Sequence, residues 1–314
     1  MDISKANTEP FYIFHKFHES LNRLTKAIAG SLAFTQRAIG GGSVGKKMLS
    51  VLIEGAGEPW RGTNHYAPER ELTSATMFFA EMGVVRVASA MEDFVISTDA
   101  EVSRWTARRS EGKEQRKPLP VTNESDDQAA NLLLVKLCKG CGWDLTSYEA
   151  FIAAYLFFQR VRNCIVHRNG RITSELARTL EDEEFIKKWK KVSTPRGTQP
   201  VPLPAVVDGR LSLLPRHVIL FSSVCRKLAS AVNGFLLDYV GEDGLLYMAV
   251  HHSLLIDAPV EWVQSAKSPE GVINWTLANR FHVKEITAGK TITLLKAAGL
   301  WDRCRERYEI LAPK

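Results

Sequence analysis

The sequence lacks a basic stretch leading into a continuous apolar segment at its start. It has no run of about 18 apolar residues anywhere, and no even, closely spaced set of cysteines. The opening MDISKANTEPFYIFHKF has no small-residue cleavage site of the secretory kind. These absences point away from a signal-led disulfide scaffold and from a membrane span of unbroken apolar residues. The expectation is a cytoplasmic protein with no membrane partner. Five cysteines, at 138, 141, 164, 225 and 304, suit a reducing compartment. Charge of one sign is also scarce: Lys plus Arg exceeds Asp plus Glu by 41 − 35 = +6, which is compatible with a polyanionic partner and decides nothing by itself. With 45% hydrophobic and 24% charged residues in 314, the chain has globular composition and enough length to bury a core without staples.

What is present is helical periodicity. Phe11 to Ile39 carries apolar residues at helical intervals and runs into Gly40-Gly41-Gly42, which reads as an N-terminal helical appendage. Residues 55–70, rich in Gly, Pro and polar side chains, read as a loop. From Thr73 to Ile96, the steps of Phe78, Met82, Val85, Ala88, Met91 and Phe94 predict an amphipathic helix buried on that stripe. Residues 106–128 are nearly all polar, with two prolines, and read as a mobile loop that is basic in its first half.

Thr146 and Glu149 have capping-box spacing, and the stripe Tyr148, Phe151, Tyr155, Phe158, Val161, Ile165 continues to a stop at Asn169-Gly170. A charged helical stretch (181–191) and a proline-rich connection (193–204) come next. They precede a third long helix through Val218, Phe221, Cys225, Leu228, Val232, Phe235 and Tyr239, expected to end before Gly241. The fold class is therefore all-α, an antiparallel helical bundle over 72–244. An N-terminal helical extension (1–71) precedes it, and a C-terminal helical subdomain (245–314), broken by Pro259, Pro269 and Gly271, follows it.

Polar residues gather in the last two turns of the central helix as Arg162-Asn163-Cys164-Ile165-Val166-His167. On a regular helix Asn163 and His167 lie about 40° apart, with Gln159 on the same face, while Arg162 sits on a flank its long side chain can bridge. Guanidinium matches phosphate geometry, and imidazole exchanges protons near neutral pH. The set suits phosphodiester cleavage without a metal or other cofactor. The last turn of a helix also favours a cation, which opens acid as well as base work to the histidine.

These residues resemble the signature of the HEPN ribonucleases: an arginine, a polar residue and, after a short spacer, a histidine near the end of a bundle helix. Here the signature reads R-N-C-I-V-H, followed by R-N-G. With the helices upstream and downstream, the resemblance covers residues 72–240 and leaves out both ends. It implies a four-helix domain that forms a homodimer, brings two motifs together in a cleft and cuts single-stranded RNA or tRNA loops by attack of the 2′-hydroxyl. Carried over, His167 acts on the 2′-hydroxyl or the leaving oxygen, Arg162 holds the phosphate, and Asn163 orients either group. By analogy with bacterial toxins and antiphage effectors, an antitoxin or trigger protein is expected as a controlling partner. Arg108, Arg109, Lys113, Arg116 and Lys117, with Gln159 and Arg168, are the candidate contacts to the RNA substrate.

Other patterns are weaker. Gly40 to Lys46 fits the first seven positions of a P-loop, but Lys47 stands where a hydroxyl should be, and a helix precedes it. Cys138 and Cys141 have no second ligand pair and read as a helix-end turn. His251, His252 and His282 are isolated. Residues 276–300 have a helix-turn-helix rhythm but few basic side chains, so ordinary packing is the simpler reading. Two rivals to the enzyme remain: a helical dimer that binds nucleic acid without cutting it, and an interaction protein whose bundle docks a partner.

Overall fold

Residues 215–250 form the helix on which the rest is assembled, and its apolar residues are numerous enough to face two cores at once. The computed structural model describes residues 2–39, 42–55, 68–109, 126–193, 200–256, 266–284 and 287–311. Its elements are α1 (Glu9–Ile39), α2 (Gly42–Glu54), α3 (Pro68–Arg109), α4 (Asp126–Cys141) and α5 (Glu149–Arg168). After them come α6 (Ser174–Glu181), α7 (Glu183–Ser193), a hairpin of β1 (Ala205–Val207) and β2 (Arg210–Ser212), α8 (Pro215–Val250), α9 (Pro269–Trp275), α10 (Ala288–Ala297) and α11 (Trp301–Leu311). The fold is all-α, with the hairpin as the only sheet among the described residues.

Four helices make the bundle. His18 of α1 meets Ser222 while Thr8 meets Asn233, so α1 runs antiparallel to α8. Phe158 stacks on Phe221 at 4.5 Å while Tyr148 lies under Lys227, so α5 is antiparallel to α8 as well. In contrast, Gly83 lies against Val218 and Thr106 bonds the Tyr239 hydroxyl, which makes α3 parallel to α8. A Cβ at Gly83 would stand 2.7 Å from a Val218 methyl, so the missing side chain lets the two helices cross this closely.

The main core joins Phe14 of α1, Val84, Val87 and Met91 of α3, Leu137 of α4, Phe157 and Phe158 of α5, Trp189 of α7 and Leu228 of α8. The core thus reaches across the boundary drawn at residue 72: α1 supplies Phe11, Phe14 and Leu21 to it, because the α1 stripe has α3 and α8 to cover it. A second core holds Val102, Leu236, Leu246, Ile273, Leu277, Phe281, Leu295 and Cys304. Buried charges cross its border. Glu9 pairs with Arg280, and Glu101 pairs with both Arg104 and His252, the latter at 2.6 Å. His252, which looks isolated in the sequence, thus bonds a buried carboxyl that Arg104 also holds.

Several sequence expectations change. The stripe on α3 holds in its second half, where Ala88, Met91 and Phe94 are buried, and is displaced in its first: Phe78 and Met82 are exposed, and Ala80, Val84 and Val87 are buried. Apolar residues run round much of α3, so periodicity offers two candidate faces, and the α8 crossing selects one. Helix α3 continues to Arg109, so Thr106 to Arg109 are helical, while 110–125 lie outside the described residues, as do 56–67, 194–199, Gly40 and Gly41. Gly42 opens α2, so Gly42 to Lys46 are helix rather than a loop that could cradle a phosphate. The Thr146–Glu149 capping box is absent. Thr146 turns to Asp144, Glu149 pairs with Lys188, and a short 3-10 turn leads into α5 instead.

Helix α8 does not stop at Gly241; that residue adopts φ 65° and kinks a helix that continues to Val250, then widens into a π segment at His251–Leu255. By length and composition Pro215–Leu255 could cross a membrane, but more than half of its apolar window is buried inside the protein. Pro269 starts α9 rather than breaking it, with the Ser268 hydroxyl accepting from the Gly271 amide.

The start of α8 is fixed by a neutral imidazole. His217 Nδ1 accepts from the Leu214 amide at 2.9 Å, so Nε2 carries the proton and donates to the Pro202 carbonyl at 3.0 Å. Burial therefore lowers its pKa from 6.5 to about 4. Between those values the unfolded chain binds a proton that the folded one refuses. The stability is full above pH 6.5 and falls as pH drops towards 4. We expect chemical denaturation to show His217 contributing about 2–3 kcal/mol to that loss. His217→Gln should make the slope shallower without abolishing it, since His18 and His251 are lowered to about 4 as well. An unchanged slope would sink the assignment.

Candidate functional site

Helix α5 carries its polar residues in a line. Tyr155 and Gln159 are wholly inside the bundle, and the Gln159 amide donates to the Tyr155 hydroxyl at 2.9 Å. One turn further on, Asn163 is 5% exposed, and one more turn brings His167 to the exposed last turn. The line thus rises from the core to the surface as the helix leaves the bundle. Arg162 lies off that line by sequence geometry, but its side chain bends across, and Nη1 donates to Asn163 Oδ1 at 2.9 Å. That bond ties the guanidinium to the Asn163 amide, one helical turn before His167. Two atoms there have no protein partner: Gln159 Oε1 and Arg162 Nε are both buried and unbonded. Each such atom costs about 1–3 kcal/mol, a penalty that a purely structural helix end has no reason to carry.

The helix end itself is closed by backbone. Asn169 and Gly170 both adopt left-handed conformations, at φ 50° and 78°. Their amides point to the Cys164 carbonyl, at 2.9 Å for Gly170, while the Arg171 amide takes the Arg168 carbonyl. The Cys164 and Arg168 carbonyls therefore do not require Arg162 or His167 as caps. The chain leaving the helix then lies along the hairpin: Ile172 donates to the Gly209 carbonyl at 3.0 Å, and Leu211 donates to the Gly170 carbonyl at 3.3 Å.

That pairing delivers two residues that the sequence reading did not single out. The Arg210 guanidinium reaches Asn169 Oδ1 at 3.4 Å, and a Cβ on Gly170 would lie 3.3 Å from Glu81 Oε1 and 3.4 Å from Arg210 Nη2. Burial pushes the Glu81 carboxyl up from its usual range, against the lowering pull of Arg210. The end of α5 therefore holds a second guanidinium and a carboxyl besides Arg162, Asn163 and His167. Asp208-Gly209, flanked by Val206-Val207 and Leu211, is a two-residue hairpin signal that would have found β1 and β2, and with them Arg210. No local signal marks Glu81.

The other candidate contacts are dispersed. Arg168 is exposed beside His167. Gln159 is buried, away from any surface a substrate reaches in this conformation. Arg108 donates to the Ala298 carbonyl at 2.7 Å and lies over the Tyr247 ring, binding α3 to the second core, while Arg109 is exposed next to it. Both stand 27 residues along α3 from Glu81, about 40 Å at helical rise. Lys113, Arg116 and Lys117 lie outside the described residues. Among the described residues no three His, Cys, Asp or Glu side chains gather to hold a metal ion. No protein-family model, curated protein or solved structure matches the chain.

The closeness of Glu81 and Arg210 to Gly170 makes that glycine the tightest point of the site. Gly170→Ala places a side chain at positive φ and against both groups, so we expect a loss of about 1–2 kcal/mol in equilibrium unfolding. A neutral result would mean that the helix end relaxes freely.

Proposed function

We propose that the chain is a metal-independent endoribonuclease of the HEPN type, with Arg162, Asn163 and His167 as its catalytic set. The observation that carries this reading is the Arg162–Asn163 bond one helical turn before an exposed histidine, on a helix end where backbone amides take the Cys164 and Arg168 carbonyls. In the reaction, a base takes the proton of an RNA 2′-hydroxyl and the 2′-oxygen attacks its own phosphorus. The bond to the 5′-oxygen breaks, and that oxygen takes a proton from an acid. The products are a 2′,3′-cyclic phosphate and a 5′-hydroxyl. His167 serves as base or acid, and Arg162 balances charge on the phosphoryl oxygens.

A second copy supplies the other proton-transfer group. Support for a homodimer comes from the surface around the helix end. Phe78 and Met82, one turn before Glu81 and immediately after it, are exposed, as is Val166 beside His167. Apolar side chains that flank a polar site are suited to cover by another copy of the same face. The proposed setting is cytoplasmic, as a toxin or antiphage effector held in check by an antitoxin or released by a trigger protein.

Incubated with tRNA and single-stranded RNA in excess EDTA, the wild-type protein should yield fragments ending in 2′,3′-cyclic phosphate, and His167→Ala should yield none while keeping its melting curve. Cleavage that survives the substitution would refute the chemistry; no cleavage by either protein would favour a binding module. Sedimentation velocity tests the pairing: Phe78→Arg with Met82→Arg should give a folded monomer that has lost cleavage, and a persisting dimer would place the interface elsewhere.

A further inference from the structure

Where α1, α5 and α8 meet, the surface opens into a groove of about 400 Å³. Its inner side is made by Phe11 and His18 of α1, and Phe151 of α5 lines it as well. Ser223, Arg226, Lys227 and Ser230 complete it from α8 at steps of three, one and three, which sets them on one helix face. All four are exposed, and the residues between them, Val224, Cys225, Leu228 and Ala229, are buried in the core. The groove is therefore held open by a rigid helix.

Its charge is only partly offset: Glu19 acts on His18 from α1, as Arg226 does from α8, but pairs with His15 and Lys16. No acidic residue lines it, Arg226 pairs with no carboxylate among the described residues, and Lys227 lies over the Tyr148 ring at 5.9 Å. His18 adds no competing ligand. Its Nδ1 is bonded to Ser222 at 2.7 Å and its Nε2 to Asn22 at 3.1 Å, so it is a fixed part of the inner side. Ser223 already donates to the Ile219 carbonyl at 2.8 Å, so two cations and the Ser230 hydroxyl are the donors this concave surface offers to the oxygens of a phosphodiester, and the Phe151 side chain offers a face to a base. Along α5, Phe151 precedes His167 by 16 residues, about 24 Å at helical rise. The groove is thus too far from the histidine to hold the scissile bond and well placed for nucleotides further along the strand.

Resting on the ribonuclease reading above, we propose that this groove is a subsite for the flanking nucleotides of a single-stranded RNA. Arg226 and Lys227 neutralise the phosphates, Ser230 donates to them, and a base lies against Phe151.

Full-length protein and a short fluorescein-labelled single-stranded RNA, in EDTA, provide the test by anisotropy across a salt series. Arg226→Ala with Lys227→Ala should weaken binding at least about tenfold at low salt and reduce the slope of log affinity against log salt by about 1.4, two contacts at about 0.7 each. Ser230→Ala should weaken binding and leave the slope alone. Lys136→Ala with Lys139→Ala, which removes two exposed cations from α4, should change neither quantity. These positions are exposed, so melting curves should match wild type. Unchanged affinity and slope in the Arg226/Lys227 variant, or no RNA binding by wild type, overturns the subsite. The two readings fail separately. A wild type that binds RNA through the groove but cuts nothing removes the nuclease and keeps the subsite. A wild type that cuts as well with the groove neutralised keeps the nuclease and removes the subsite.

Discussion

The close crossing of α3 and α8 at Gly83 and Val218 is the constraint on which the remaining geometry depends. Two long helices that run in the same direction share an apolar seam from this crossing to the hydroxyl contact of Thr106 with Tyr239. Their parallel course leaves α1 and α5 to fill the spaces with opposite direction, as the contacts of His18 and Phe158 with α8 record. Because α8 continues past its kink at Gly241, the same helix that organises the bundle also starts the second core. The two cores are therefore not independent bodies tied by a linker; one continuous backbone element transmits order from one to the other.

Against that apolar frame, the polar line of α5 is an expense that stability alone does not explain. A buried glutamine with an unbonded oxygen and a buried guanidinium nitrogen without an acceptor both oppose folding. They lie on the helix that also carries the main aromatic cluster, Phe157 and Phe158 with Phe185, Trp189 and Phe221. The packing energy of that cluster offsets the local penalty and holds the helix end in place. The hairpin completes the frame from the side, with ladder bonds that bring Arg210 to the same helix end as Glu81.

The second core uses a different solution. Glu9, Glu101, Arg104, His252 and Arg280 come from α1, α3, the π segment after α8 and the π segment after α9, and their pairs cross the border between the two cores. Pairs this deep add little net stability, but removing one partner strands the other in a medium that cannot solvate it. They specify which helices meet more than they strengthen the meeting. Arg108 acts in the same way from the outside, with its guanidinium on the Ala298 carbonyl and the Tyr247 ring.

What the sequence determined by itself is what short-range physics controls. The all-α class, the course of α1 and α5, the stop at Asn169-Gly170 and the placement of Arg162, Asn163 and His167 in the last two turns follow from helical spacing and from residues that tolerate left-handed backbone. The Asp208-Gly209 turn was equally local, and readable. Other features had no local cause. Phe78 and Met82 lie on a stripe as regular as the buried one, and only the approach of α8 decides that Ala80, Val84 and Val87 go inward. Arg108 belongs to a basic run in the sequence and to an interhelical clamp in the fold. Glu81 is one charged residue among many until the chain returns, some ninety residues later, to place Gly170 and then Arg210 beside it. Helix formation and helix ends are set within a few residues, whereas the choice of buried face and the company each polar group keeps depend on surfaces from distant segments, which exist only once the bundle has closed.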